Sequence, residues 1–78
     1  AADDLLSLQG VQASVVLYRQ GDGVSMSGRS LGEVNVQVIL ERLGGGGNAT
    51  AAGGHVSGAD LYAVRQRVAE AIEDYYAP

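Results

Sequence analysis

Gly44, Gly45, Gly46 and Gly47 run without a break into Asn48 and Thr50, and six of the thirteen residues 42–54 have no side chain. Fixing each residue of a folded chain costs about 1–2 kcal/mol of backbone entropy, with glycine at the top of that range. One glycine suffices to end a helix, so four in succession need a further reason. Successive bare amides can converge on an anion such as phosphate, and a flat base or ribose can lie against a backbone without side chains. A flexible connection accounts for the same composition, and the residues alone leave both explanations open. The glycines follow a helical pattern instead of preceding one, so the helix dipole turns its negative end toward them. Positive charge for an anion then has to come from elsewhere, first from Arg29 and second from Arg42.

The rest of the titratable inventory narrows the chemistry. His55 is the only histidine, and there is no cysteine, so neither a thiolate metal site nor a disulfide framework is available. With one histidine, a Ser–His–acid catalytic set is not expected, and His55 reads as a strand-edge residue. Glu73 and Asp74 close the last helical pattern without clustered His or Asp partners, which argues against metal ligation by them. The net charge of −4 has the wrong sign for tight nonspecific binding to long nucleic acid. It still allows a small anionic ligand held by a few placed donors.

The elements that must position these residues follow from periodicity. The 78 residues make one small domain, which buries roughly 60% of the surface its unfolded chain exposes. Leu5, Leu6 and Leu8 fit one or two turns of helix over residues 1–8, ended by Gly10. Val11, Ala13, Val15 and Leu17 alternate with Gln12, Ser14, Val16 and Tyr18, which predicts a strand. The segment "QGDG" supplies a turn, with Asp22-Gly23 as its hairpin signal. The returning strand puts Val24, Met26 and Gly28 on one face, and Ser25, Ser27 and Arg29 on the other. Val36, Ile39, Leu40 and Leu43 form a helical stripe with Asn35 as its N-cap and Gly44 at its left-handed end. "AAGGHVS" predicts a third strand. Ser57 and Asp60 form a capping pair, and the last helix runs from about residue 59 to 76 with Leu61, Val64, Val68, Ile72 and Tyr75 inward. The fold class is therefore α+β: a small sheet with a β-hairpin and a further short strand, two main helices and a short N-terminal helix.

The run "SMSGRSLGEVNVQVILERLGGGG" followed by "AAG" resembles the C-terminal DHH-associated domain of DHH-family phosphodiesterases. The resemblance is strongest to the bacterial enzymes that hydrolyse cyclic di-AMP, and it covers nearly the whole chain. It rests on "RS" at Arg29-Ser30, "NVQVI" at residues 35–39 and the glycines 44–47. The resemblance implies a single domain, residues 1–78, cut from a longer protein. It also implies an N-terminal DHH domain holding two manganese ions, absent from this chain, and a parent anchored in the bacterial membrane with its catalytic part facing the cytoplasm. By the same resemblance, Gly45, Gly46 and Gly47 carry the backbone role of a Gly-Gly-Gly-His nucleotide grip, and Arg29 and Ser30 sit on the substrate side of the sheet. Gly44, Asn48 and Thr50 complete the implied substrate-binding set. Asn48 stands where the family pattern has histidine; it donates and accepts hydrogen bonds but cannot become cationic. Asn48 also reads as a turn residue that ends the glycine run.

The implied function is a nucleotide-holding domain, inactive by itself, with cyclic di-AMP, pApA or a short oligoribonucleotide as ligand and a homodimer as a further expected partner. Three rivals stand beside it. An enzyme that trims oligoribonucleotides would carry the same domain behind a bare DHH domain. An alanyl-tRNA synthetase tail would make it an RNA-binding or dimerisation module, against which the acidic balance speaks. A pure interaction domain would have lost nucleotide binding along with the histidine.

Overall fold

The computed structural model describes residues 3–8 and 12–77. Five strands form one antiparallel sheet in the order β1-β2-β3-β5-β4. They are β1 (Asp3–Leu8), β2 (Ala13–Gln20), β3 (Gly23–Ser30), β4 (Gly46–Asn48) and β5 (Ala51–Ser57), with α1 (Val36–Glu41) between β3 and β4 and α2 (Leu61–Tyr76) at the end. The α+β class and the central hairpin agree with the sequence.

The alternation in β2 buries Ala13, Val15 and Leu17, and their partners across the hairpin are Ser30, Gly28 and Met26. Val24, Met26, Ala52 and the half-buried Val56 extend that apolar face, and both helices pack on it. Val36, Ile39, Leu40 and Leu43 from α1 and its last turn meet Val64, Val68 and Ala71 from α2 in one core. Leu61, Ile72 and Tyr75 pack on its margin. The sequence stripes of both helices are therefore the faces that are buried. Among the described residues no helix is long and apolar enough to cross a membrane.

Four expectations are corrected. The short N-terminal helix is a strand over Asp3–Leu8, because pairing with β2 from Asp3↔Tyr18 to Leu8↔Ala13 satisfies its backbone; the remaining residues of that expectation, and Val11, lie outside the described ones. The "QGDG" turn is present, closed by the pairing of Gln20 with Gly23, but its two loop residues are Gly21-Asp22, one position before the Asp22-Gly23 signal. The second half of the glycine run is a strand, β4, paired with β5. The cap of α2 is Asp60, whose carboxylate accepts from the Ala63 N–H at 2.7 Å, while Ser57 is the last residue of β5.

The N-cap of α1 is Asn35, as expected: its Oδ1 accepts from the Val38 N–H at 3.2 Å. Two longer-range bonds fix that end of the helix. The Asn35 N–H donates to the Tyr75 hydroxyl at 2.9 Å, and the Val36 N–H donates to the Ala49 carbonyl at 3.1 Å. Tyr75 thus ties α2 to the entry of α1, a role its sequence position does not reveal. Tyr75→Phe strands that amide and is expected to lower stability by about 1 kcal/mol, read as a reduced urea midpoint with unchanged far-ultraviolet dichroism.

Candidate functional site

With both helices on one face, the other face of the sheet carries the remaining alternate residues. Strand register arranges them in rows. Ser14, Arg29, Ala51 and Asn48 form one row across β2, β3, β5 and β4. Val16, Ser27, Gly53 and Gly46 form the next, and Tyr18, Ser25 and His55 the one after. Over β3, β5 and β4 the floor is Ser27, Ala51, Gly53 and Gly46, nearly without side chains. Arg29 and Asn48 stand at one end of it, two strand spacings or about 10 Å apart at the backbone. His55 stands at the other end, four residues or about 13 Å along the strands from the Arg29 row.

The four glycines have separate causes. Gly44 takes φ +87° after the last turn of α1, and its N–H donates to the Glu41 carbonyl at 3.1 Å. The Gly45 N–H donates to the Leu40 carbonyl at 2.9 Å, and a Cβ there would lie 2.5 Å from the Gly53 carbonyl oxygen. These two bonds are the Schellman pair that ends a helix, so both amides are occupied. Gly47 has φ +144°, and a Cβ on it would lie 2.5 Å from the Ala51 carbonyl oxygen and 2.6 Å from the Ala52 Cα. Gly46 is different. A Cβ added there meets nothing within 4 Å. Its bareness is not required by the fold, and it sits on the open face.

Asn48 organises the turn that returns β4 to β5. Its Oδ1 accepts from the Thr50 N–H at 3.1 Å, the Ala51 N–H at 2.9 Å and the Thr50 hydroxyl at 3.1 Å. Asn48 thus ends the glycine run through its side chain, from the last position of β4. The side-chain oxygen is fully engaged, and the Nδ2 donors have no acceptor among the described residues. The tip is anchored in turn: the Thr50 carbonyl accepts from the Ser30 N–H at 2.9 Å, and Ala49 accepts from Val36.

The structure brings Arg29, Gly46 and Asn48 to one face, and Thr50 to its edge. It separates Ser30 from them. Consecutive strand residues point to opposite faces, and the Ser30 side chain is buried on the helix side, where its Oγ accepts from the Gly32 N–H at 3.3 Å. Arg29 is exposed and makes no ion pair or side-chain hydrogen bond with the described residues. Arg42, the second candidate cation, is committed elsewhere, to Asp74 at 2.6 Å. Surface clefts are lined by Arg42, Arg67 and Asp74, by Arg19, Asp22 and Asp60, and by Gln12, Glu33 and Tyr75; of these three, the second reaches the far end of this face through Asp22.

Sequence reasoning missed the set around His55. Its Nδ1 is 2.9 Å from the Ser25 hydroxyl, and its Nε2 is 3.5 Å from Asp22 Oδ1. Ser25, His55 and Asp22 are therefore neighbours; the strand register Ser25↔His55 is the signal that could have found the first pair. They are not a nucleophilic triad. Ser25 is only 4% exposed, and its proton goes to Gln20 Oε1 at 2.6 Å, so the imidazole is not positioned to take it. Among the described residues no three His, Cys, Asp or Glu side chains are grouped to hold a metal ion.

The comparisons agree with the motifs. The DHHA1 domain family matches residues 1–74. Over 76 residues the chain is 54% identical to the cyclic-di-AMP phosphodiesterase GdpP of Geobacillus thermodenitrificans, covering 96% of this chain and 12% of that protein. It is 46% identical over 77 residues to GdpP of Bacillus subtilis, covering 97% of this chain and 12% of that protein. It is also 40% identical over 77 residues to the bifunctional oligoribonuclease and PAP phosphatase NrnA of Thermus thermophilus, covering 94% of this chain and 24% of that protein. The chain thus spans about an eighth of the length of the phosphodiesterases it matches.

Proposed function

Since the chain belongs to the DHHA1 domain family, we propose that its open sheet face holds an adenylate for a cyclic di-AMP phosphodiesterase whose catalytic centre lies outside these residues. The observation that carries the reading is Gly46. Of the four consecutive glycines it is the one whose missing side chain the fold does not use, and it faces the same side as Arg29 and Asn48.

In this reading Arg29 supplies the positive charge for a phosphate. The Asn48 Nδ2 and the outward-facing backbone groups of β4, an edge strand, supply hydrogen bonds. The base or sugar lies on the bare floor of Gly46, Gly53 and Ser27. Gly44, Gly45 and Gly47 act by fixing where β4 lies, Thr50 by tying its turn, and Ser30 by anchoring the tip through its backbone N–H. Hydrolysis, with its manganese ions, belongs to a DHH domain of a longer, membrane-anchored protein whose catalytic part faces the cytoplasm. Cyclic di-AMP and pApA are the ligands in keeping with the GdpP-like relatives. A short oligoribonucleotide is the second reading, favoured by the match to NrnA along nearly the whole chain.

A platform closed on one side only binds weakly. Titrating the ¹⁵N-labelled chain with pApA or cyclic di-AMP is expected to shift the amides of Gly46, Gly47, Asn48 and Arg29 at millimolar ligand. Arg29→Ala is expected to weaken the response about ten-fold, the worth of one charged hydrogen-bonded contact. A flat response at those amides in the wild-type chain overturns the proposal.

A further inference from the structure

The hydrogen-bond chain at the far end of the platform fixes what His55 offers to a ligand. The Ser25–Gln20 contact of 2.6 Å is an O–H···O length, short for N–H···O, so Ser25 spends its one proton on Gln20. Its oxygen then accepts from His55, at the 2.9 Å typical of N–H···O. The neutral ring that completes this chain is the Nδ1–H tautomer, in which Nε2 is a lone pair. Asp22 Oδ1, 3.5 Å from Nε2, is also an acceptor, so the two do not satisfy each other. His55 and Asp22 side chains are 36% and 75% exposed. The end of the platform thus presents two acceptors side by side, while the Arg29 end, about 13 Å away along the strands, presents a cation.

A ligand matched to both ends carries an anion at one extremity and a two-hydrogen donor at the other. We propose that Nε2 of His55 and the carboxylate of Asp22 take the exocyclic amino group of an adenine whose phosphate lies at Arg29, which makes His55 a residue that selects the base. The proposal rests on the open face being the nucleotide site. Ribose hydroxyls are also paired donors, but they lie close to the phosphate, whereas the acceptor pair lies at the opposite end from Arg29. Gly46, Gly53 and Ser27, between the ends, leave room for the ring.

The test compares AMP, dAMP and IMP, in which a carbonyl replaces the amino group, on the ¹⁵N-labelled chain. The imidazole nitrogen spectrum of the free chain is expected to show the Nδ1–H tautomer. AMP and dAMP are expected to shift both the Gly46–Asn48 amides and the His55 Nε2 resonance. IMP is expected to shift the first group only and to bind about five-fold more weakly, the worth of one exposed hydrogen bond. His55→Phe should remove the preference for AMP over IMP while the Gly46 and Asn48 shifts persist. Equal affinity for AMP and IMP with an unmoved Nε2 overturns the assignment and leaves the platform reading intact. Loss of binding with dAMP but not IMP moves the donor to the ribose and overturns it too. An Nε2–H tautomer in the free chain removes its premise. Silence at every platform residue with all three nucleotides removes both readings.

Discussion

Gly47→Ala is expected to destabilise the chain by about 3 kcal/mol, whereas Gly46→Ala leaves its stability within about 0.5 kcal/mol. The neighbours decide the difference. A methyl group on Gly47 would lie 2.5 Å from the Ala51 carbonyl oxygen and 2.6 Å from the Ala52 Cα, both of them backbone, and φ there is +144°. The partner strand cannot move away without dragging β5 off β3, to which it is paired from Ala51 to Ser57. A domain of this size has on the order of 5 kcal/mol of total stability, so the Gly47→Ala midpoint in urea should fall by more than half. On Gly46 the same methyl projects from the platform into open space. Its effect is then on the ligand: a Cβ in the middle of the floor lifts a flat ring off the backbone, and binding of pApA should weaken at least ten-fold. Two adjacent glycines would in this way separate folding from recognition. A Gly46→Ala chain as unstable as Gly47→Ala would assign the whole glycine run to the fold, and with it would go the observation on which the adenylate site stands.

What was legible in the sequence depended on whether side chains carried the pattern. The hairpin could be read because Ala13, Val15 and Leu17 recur at every second residue beside a glycine turn, and the two main helices because Val36, Ile39, Leu40 and Leu43, then Val64 and Val68, recur at helical spacing. β1 was misread because Leu5, Leu6 and Leu8 suit either element over so short a stretch, and the decision comes from pairing with β2. β4 had no pattern to read: Gly46 and Gly47 have no side chains, and the strand exists because Ala51, Ala52 and Gly53 lie beside it. The site divides in the same way. Arg29 on the open face followed from alternation in β3, and alternation alone already placed Ser30 on the opposite side; family resemblance had put both on one. The acceptor pair of His55 and Asp22 joins a strand to a turn 33 residues away. No local pattern reports such a contact.

Asn48 is where the demands of the turn and of the ligand meet, and two substitutions should pull them apart. Asn48→Ala removes the acceptor of the Thr50 and Ala51 N–H groups and of the Thr50 hydroxyl. The donors are exposed, so water replaces part of the loss, and the expected cost is about 1–2 kcal/mol. Asn48→His, which installs the residue of the family pattern, keeps at most one acceptor nitrogen where the carboxamide oxygen served three donors. Stability should fall by about 1 kcal/mol, read in the urea midpoint. The imidazole would at the same time bring a ring, and in acid a positive charge, to the end of the platform beside Arg29. Affinity for AMP should rise several-fold and should rise further as the pH is lowered through the titration of the imidazole, because only the protonated form attracts the phosphate. The wild-type chain has no such group at position 48. Asparagine there holds the turn more firmly and the phosphate less firmly than histidine would. If Asn48→His leaves both the midpoint and the affinity unchanged, position 48 faces no phosphate, and Arg29 would have to hold it without help from β4.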